Sequence, residues 1–292
     1  MRIKNNSTSD VKFSGTYSFN ATSPFEYMFK SPKIATYISS EYGEVRSDGT
    51  HYALDITTGV AGGIKDIIIV ATHEGKPIYE DYFKNPVEKI YKQLESQGKL
   101  DRFEAVKDVL SLANITVIEQ DPSLPYGNGS PIASAKPYLN DDEAFLALYS
   151  DDLIFGEGDV KTLVEAYAKN PEAKAIIAAQ EMPEEVWNKY GMIALKDKKK
   201  HTLSHIVEKP ATPAESPSNL TSYGRYLLTP EVFAHLVPSN TGLDDELWTV
   251  DAITKLAKSG DVIVTKSKGK WLTTGDPKNY YAAYQEFVKM EK

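Results

Sequence analysis

The segment Phe-Leu-Ala-Leu-Tyr-Ser-Asp-Asp-Leu-Ile-Phe (Phe145 to Phe155) runs apolar, stops on two adjacent carboxylates and turns apolar again. Two carboxylates side by side are costly in a low dielectric, and each desolvated one is costlier still. A cation held at Asp151 and Asp152 would offset that cost. A plain surface turn would avoid it. Two other stretches carry residue types suited to ligands. Gln120 is followed by a loop containing Tyr126-Gly127-Asn128-Gly129, where an amide offers both donor and acceptor and glycines permit close backbone approach. The Val-Glu-Lys-Pro run places the carboxylate of Glu208 beside the point charge of Lys209. Alone, each has an ordinary alternative: a solvated strand end, a tight turn, an exposed polar corner.

The elements that must position these residues follow from hydrophobic period. Asp66 to Thr72, Ile115 to Gln120, Phe145 to Tyr149 and the segment Ala-Lys-Ala-Ile-Ile-Ala-Ala-Gln-Glu-Met read as strands. Between them, Asn-Pro-Val-Glu-Lys-Ile-Tyr-Lys-Gln-Leu-Glu, Asp-Arg-Phe-Glu-Ala-Val-Lys-Asp-Val-Leu and Asp-Val-Lys-Thr-Leu-Val-Glu-Ala-Tyr place apolar residues at helical spacing. A short helix is expected near Ser-Pro-Ile-Ala-Ser-Ala-Lys-Pro-Tyr-Leu. This alternation predicts an α/β fold around a mixed, mostly parallel sheet. Past about Pro183, short strands (Gly-Met-Ile-Ala-Leu-Lys-Asp, His-Thr-Leu-Ser-His-Ile-Val-Glu-Lys, Ser-Tyr-Gly-Arg-Tyr-Leu-Leu) alternate with Pro-rich loops. Helices are expected around Thr-Pro-Glu-Val-Phe, Asp-Asp-Glu-Leu-Trp-Thr-Val-Asp-Ala-Ile and the C-terminal Asp-Pro-Lys-Asn-Tyr-Tyr. One domain over 1–292 is expected, in two halves at 1–182 and 183–292, the second a substrate-side half built onto the first sheet. In open parallel sheets ligands sit beyond the carboxyl ends of strands, where Gln120, Asp151 and the Val-Glu-Lys-Pro run fall.

Composition bounds the function. The chain has 292 residues, 41% hydrophobic and 25% charged, enough for a substantial core. The absence of cysteine excludes disulfides, thiol nucleophiles and thiolate metal sites. A formal charge of -8 argues against nucleic acid as a partner, which needs a basic footprint. No apolar run approaches the roughly 18 residues of a membrane span, and the polar N-terminus lacks the apolar middle of a signal peptide. A cytoplasmic protein without membrane partners is the expectation. His201 and His205 lie four apart in a strand-like segment, where helical metal-ligand spacing does not apply.

Taken in order, Gly-Ile-Lys-Asp-Ile-Ile-Ile-Val-Ala-Thr, Leu-Ala-Asn-Ile-Thr-Val-Ile-Glu-Gln, Tyr-Gly-Asn-Gly-Ser-Pro-Ile, Phe-Leu-Ala-Leu-Tyr-Ser-Asp-Asp-Leu-Ile, Lys-Tyr-Gly-Met-Ile, Ile-Val-Glu-Lys-Pro…Pro-Ser-Asn-Leu…Gly-Arg-Tyr and Asp-Glu-Leu-Trp-Thr-Val-Asp-Ala-Ile resemble the sugar-1-phosphate nucleotidylyltransferases. Within them the resemblance is to the bacterial UTP–glucose-1-phosphate uridylyltransferases. It implies a Rossmann-like nucleotidyltransferase fold of the GT-A type. The implied reaction joins UTP and glucose 1-phosphate into UDP-glucose and releases pyrophosphate, with Mg²⁺ as cofactor. Asp151 matches the family's metal-binding aspartate. Gln120 matches the residue that reads the pyrimidine, and Tyr126, Gly127, Asn128 and Gly129 the loop at base and ribose. Gly191, Glu208 and Lys209 match the sugar and sugar-phosphate positions, with Asp151 and Lys209 as catalytic groups. Glu246 aligns with a family glutamate, or serves an ordinary helix N-terminal turn. Relatives form dimers or tetramers, so a homo-oligomer is possible on this resemblance.

The chain departs from the family at two places. The opening Gly-x-Gly-Thr-Arg-x-x-Pro triphosphate loop is not recognisable. Gly15 and Thr16 are its nearest remnant, with Tyr17 at the arginine position and Lys30 or Lys33 in place of the family lysine. Thr273 stands where related thymidylyltransferases place a second metal aspartate, and Asp276 follows three residues on. The triphosphate side is therefore altered while the sugar side is kept. A catalytically impaired sugar-nucleotide-binding relative is the second reading, and another sugar-1-phosphate nucleotidylyltransferase the third.

Overall fold

The β-branched run Ile67 to Val70 does form a strand, β3 (Asp66–Ala71), beside β4 (Asn114–Glu119) in parallel register, with Ile69 opposite Val117. The structure, a computed structural model, describes residues 2–4, 10–12, 64–84, 86–103, 113–155 and 159–290. Gly15, Thr16, Tyr17, Lys30 and Lys33 lie outside them, as does most of the helix expected from Asp101. Two short strands, β1 (Arg2–Lys4) and β2 (Asp10–Lys12), pair antiparallel. Helices α1 (Lys76–Lys84) and α2 (Pro86–Ser96) follow β3, and α3 (Gly129–Ala135) follows β4 and its loop.

The largest sheet has the order β5-β10-β7-β11-β9-β8, and β10 also pairs with β8. Its strands are β5 (Phe145–Leu148), β7 (Ala175–Glu181), β8 (Gly191–Asp197), β9 (Thr202–Glu208), β10 (Leu220–Leu228) and β11 (Val262–Lys266). Strand β6 (Asp152–Phe155) leaves this sheet to pair antiparallel with β12 (Lys270–Thr273). Helix α4 (Asp159–Lys169) lies against β7 and β10, α5 (Thr249–Ser259) against β9, and α6 (Pro277–Met290) against β12.

Strand β7 shows why its sequence is apolar without alternation. Ala175, Ile177 and Ala179 point into one core with Ile193, Leu203, Leu247, Ile253 and Leu256. Ile176 and Ala178 point into the other, with Leu163, Tyr223 and Trp271. Period-two geometry makes both faces buried.

The α/β architecture and the mixed sheet match expectation, but the expected predominance of parallel pairing does not hold among the described residues. Only β3–β4 and β7–β11 pair in parallel there. Strand β10 runs antiparallel to β5, β7 and β8, and β8 to β9. For β8 and β9 connection length is the cause. The β8–β9 link turns at His201, whose φ of 54° lies in the left-handed region, and so short a link permits only antiparallel neighbours.

Candidate active site

Strand β5 ends at Leu148 and β6 opens at Asp152, so the two carboxylates sit at a strand-to-strand turn. They point to different environments. Asp152 is 6% exposed. One of its carboxylate oxygens accepts the Gly224 N–H at 2.7 Å and the other the Trp271 Nε1–H at 2.5 Å. Burial raises its pKa to about 6, Asp151 adds to the rise, and Arg225, Trp271 and Gly224 oppose it. The Arg225 guanidinium donates to the carbonyls of Tyr149 at 2.6 Å, Gly224 at 3.0 Å and Asp152, and its Nε lies 3.2 Å from the Asp159 carboxylate. Burial raises the Asp159 pKa, with Arg225 pulling against it. A buried arginine and two buried carboxylates thus clamp the turn.

Asp151 is exposed. Its main-chain carbonyl accepts the Thr274 N–H at 2.7 Å and hydroxyl at 3.0 Å, which fixes the residue without using the carboxylate. A Cβ at Gly275 would stand 2.8 Å from the Asp151 Oδ2, so bare backbone there keeps that oxygen uncovered. No group of three or more His, Asp or Glu among the described residues forms a ready cage for a metal. Mg²⁺ is commonly held by one or two carboxylates with substrate phosphates and water, and an uncovered carboxylate on a braced turn fits that donor set. Asp276 has another job. Its carboxylate accepts the N–H groups of Lys278 at 3.0 Å and Asn279 at 2.9 Å, capping α6 ahead of Pro277. The Asn279 N–H bond foremost holds its pKa below the usual carboxylate range.

Gly191 pairs directly with Glu208 across β8 and β9. A Cβ at Gly191 would come within 2.9 Å of Glu208 Oε2 and 2.8 Å of Ile206 Cγ2. The glycine therefore makes room for the carboxylate. Burial raises the Glu208 pKa, Lys209 opposes that, and Asp251 adds to it. Lys209 has φ of 45°, an uncommon conformation for a side-chain-bearing residue and one that clusters at functional sites. Its N–H donates to the Tyr190 carbonyl at 3.1 Å, and its Nζ lies 4.0 Å from Glu208 Oε1 and 5.0 Å from the Trp248 ring centroid.

The loop after Gln120 docks on the segment entering α5. Leu247 N–H donates to the Tyr126 carbonyl at 2.7 Å, and Gly129 N–H to the Leu247 carbonyl at 2.8 Å. Gly127 has φ of 132°, and a Cβ there would be 2.5 Å from the Leu247 oxygen. The glycines thus permit close approach to the chain's own Leu247. Asn128 Oδ1 accepts the Thr249 N–H at 2.9 Å, serving the first turn of α5. Tyr126 is exposed and half-buried Gln120 stands at the β4 end, its N–H on the Ala71 carbonyl. Half-buried Glu246 lies three residues ahead of α5, in the turn whose carbonyl receives the Gly242 N–H at 2.8 Å.

These pieces connect. The Trp271 ring, bonded to Asp152, lies edge-on to Tyr190 at 4.9 Å, and the Tyr190 carbonyl holds Lys209. Strand β10 joins the two sides, because its Gly224 N–H meets Asp152 and its Ser222 pairs with Gly191, the partner of Glu208. The structure therefore links the Asp151 turn to Gly191, Glu208 and Lys209, and links those to the Tyr126–Gly129 loop through Leu247 and Trp248. Gly15 and Thr16 lie outside the described residues. His205 meets Ser204 at 3.1 Å and is exposed. Sequence reasoning missed Arg225, Trp248 and Trp271. An arginine as the one charge inside the strand-like Leu220–Leu228 was a legible signal, because a charge in a buried strand needs a partner.

The Gly224 position is equally tight: a Cβ would fall 2.3 Å from the Tyr149 Cβ. Gly224→Ala is expected to destabilise the fold by about 3 kcal/mol through overpacking, measured as the urea midpoint.

Residues 52–289 match the nucleotidyl transferase family model, and the chain belongs to this family. More particularly, it is 33% identical over 240 residues to the UTP–glucose-1-phosphate uridylyltransferase of Bacillus subtilis (strain 168), which covers 81% of this chain and 80% of that one. It is 34% identical over 229 residues to UTP–glucose-1-phosphate uridylyltransferase 2 of Staphylococcus saprophyticus, covering 77% and 76%. The crystal structure of apo UDP-glucose pyrophosphorylase aligns with a TM-score of 0.72 at 25% identity, over 83% of this chain and 88% of that one.

Proposed function

We propose that this protein transfers the uridylyl group of UTP to glucose 1-phosphate. An oxygen of the sugar phosphate attacks the α-phosphorus of UTP, the bond to the β-phosphate oxygen breaks, and pyrophosphate leaves as UDP-glucose forms. The observation that carries this reading is the pairing of Gly191 with Glu208 beside a Lys209 held at φ 45°. It sets an acceptor for sugar hydroxyls next to a cation for the sugar phosphate. The likeness to two uridylyltransferases at 33% and 34% identity supports it.

The roles follow from chemistry. Glu208 accepts hydrogen bonds from glucose hydroxyls, and Lys209 offsets the charge of the attacking phosphate. Gln120 reads the pyrimidine edge, and Tyr126, Gly127, Asn128 and Gly129 border base and ribose. Glu246, next to Leu247, borders the sugar. Asp151 would hold Mg²⁺, which supplies charge stabilisation for the transferring phosphoryl group. The Arg225 clamp keeps the Asp151 turn in place. The nucleotide half is 1–182 and the sugar half 183–292 of one domain. No helix among the described residues is long and apolar enough to cross a membrane.

A second reading, a sugar-nucleotide-binding relative with impaired turnover, is favoured by one observation. The family match begins at residue 52, beyond Gly15, Thr16 and Tyr17. Calorimetric titration in Mg²⁺ separates the two. The transferase reading expects both UDP-glucose and UTP to bind, whereas the impaired relative binds UDP-glucose and holds UTP poorly. Binding of neither contradicts both.

Gly191→Ala forces the Glu208 carboxylate aside, because the added carbon would lie 2.9 Å from its oxygen. The glucose 1-phosphate KM should rise about tenfold, or about 1.4 kcal/mol, with the UTP KM nearly unchanged in initial-rate measurements.

A further inference from the structure

Trp248 belongs to none of the roles above, yet it stands where the two sides meet. Its Nε1–H donates to the Leu243 carbonyl at 3.0 Å, which fixes the indole plane. The residue before it, Leu247, is fully buried and hydrogen-bonded to Tyr126 and Gly129. The residue after it, Thr249, donates its N–H to Asn128. The indole is thus held by its own bond and by the anchored backbone on either side, and over its face, 5.0 Å from the centroid, sits the Lys209 ammonium. That is within the range of a cation–π contact.

We infer that Trp248 is a positioning residue for the sugar phosphate, acting through Lys209. A lysine ammonium is a compact charge on a flexible stem with much rotamer freedom to lose. Two restraints reduce that freedom here: the left-handed backbone at Lys209 and the indole face above its head group. The competing attraction is the Glu208 carboxylate, already 4.0 Å from the ammonium, and the indole is what balances it. A lysine drawn there would neutralise the sugar-hydroxyl acceptor and abandon the phosphate. The ring attracts the cation without neutralising it, because the attraction comes from a quadrupole and not from a net charge. The ammonium keeps its N–H donors for an anion on its other side.

The inference rests on the proposed function, and the test separates the two. Calorimetric Kd values for glucose 1-phosphate and for UTP in Mg²⁺, with initial-rate KM values, are compared for wild type, Trp248→Phe and Trp248→Leu. Phe keeps an aromatic face and should stay within about twofold of wild type for glucose 1-phosphate. Leu keeps apolar volume without the quadrupole and should bind it about fivefold more weakly, the scale of one partly exposed cation–π contact. UTP affinity should be unchanged in both. Equal affinity in the Leu variant, a Phe variant as weak as Leu, or an equal loss toward UTP overturns the positioning role. A wild type that binds no glucose 1-phosphate overturns the functional reading itself.

Discussion

Asp151→Asn should lower uridylyl transfer in saturating Mg²⁺ by about a hundred- to a thousandfold, the scale of losing one main electrostatic contributor to a charged transition state. The substitution deletes a ligand charge at nearly constant volume. The fold should be untouched, because the Asp151 side chain is exposed and the bonds from Thr274 use its main-chain carbonyl. Initial rates with a thermal melt of the same preparation check both halves. A variant that turns over normally in Mg²⁺ removes Asp151 from the metal site. One that melts well below wild type makes the carboxylate structural.

The second large effect is on stability. Arg225→Ala should destabilise the protein by about 3–5 kcal/mol, the cost of leaving a buried charge without its partner. Side chains of Arg225 and Asp159 are 3% and 2% exposed, so solvent does not screen the pair. Four acceptors lose a donor: the carbonyls of Tyr149, Gly224 and Asp152 and the Asp159 carboxylate. Replacing the pair together, Arg225→Met with Asp159→Leu, should recover much of the loss, since it removes both charges. Urea unfolding of the three proteins is the measurement. Because the same guanidinium clamps the Asp151 turn, the double variant should regain stability without regaining the full rate.

Much of the frame was legible. Long β-branched or two-sided apolar runs, such as those of β3, β4 and β7, name themselves through period and burial. Strands β6 and β12 did not, because what defines these four-residue strands is their pairing with each other. Orientation was misjudged because alternating strand and helix patterns suggest crossovers, whereas β10 returns antiparallel beside three neighbours. At the site, the Asp151 and Asp152 pair posed the right question. The answer needed Gly224 and Trp271, 72 and 119 residues away in sequence. The same holds for Lys209, whose partners Tyr190 and Trp248 no local pattern connects. The Gly127 and Gly129 loop was readable as a close approach, but the backbone it approaches is that of Leu247.

The central claim, that this chain makes UDP-glucose, is tested most directly by initial rates of pyrophosphate release from UTP and glucose 1-phosphate. Parallel reactions replace UTP by dTTP or ATP, omit the sugar phosphate, or add a chelator. Pyrophosphate release that requires UTP, glucose 1-phosphate and a divalent cation together is the predicted result. No release from any of the three nucleotides, by a protein that still binds UDP-glucose, would contradict it.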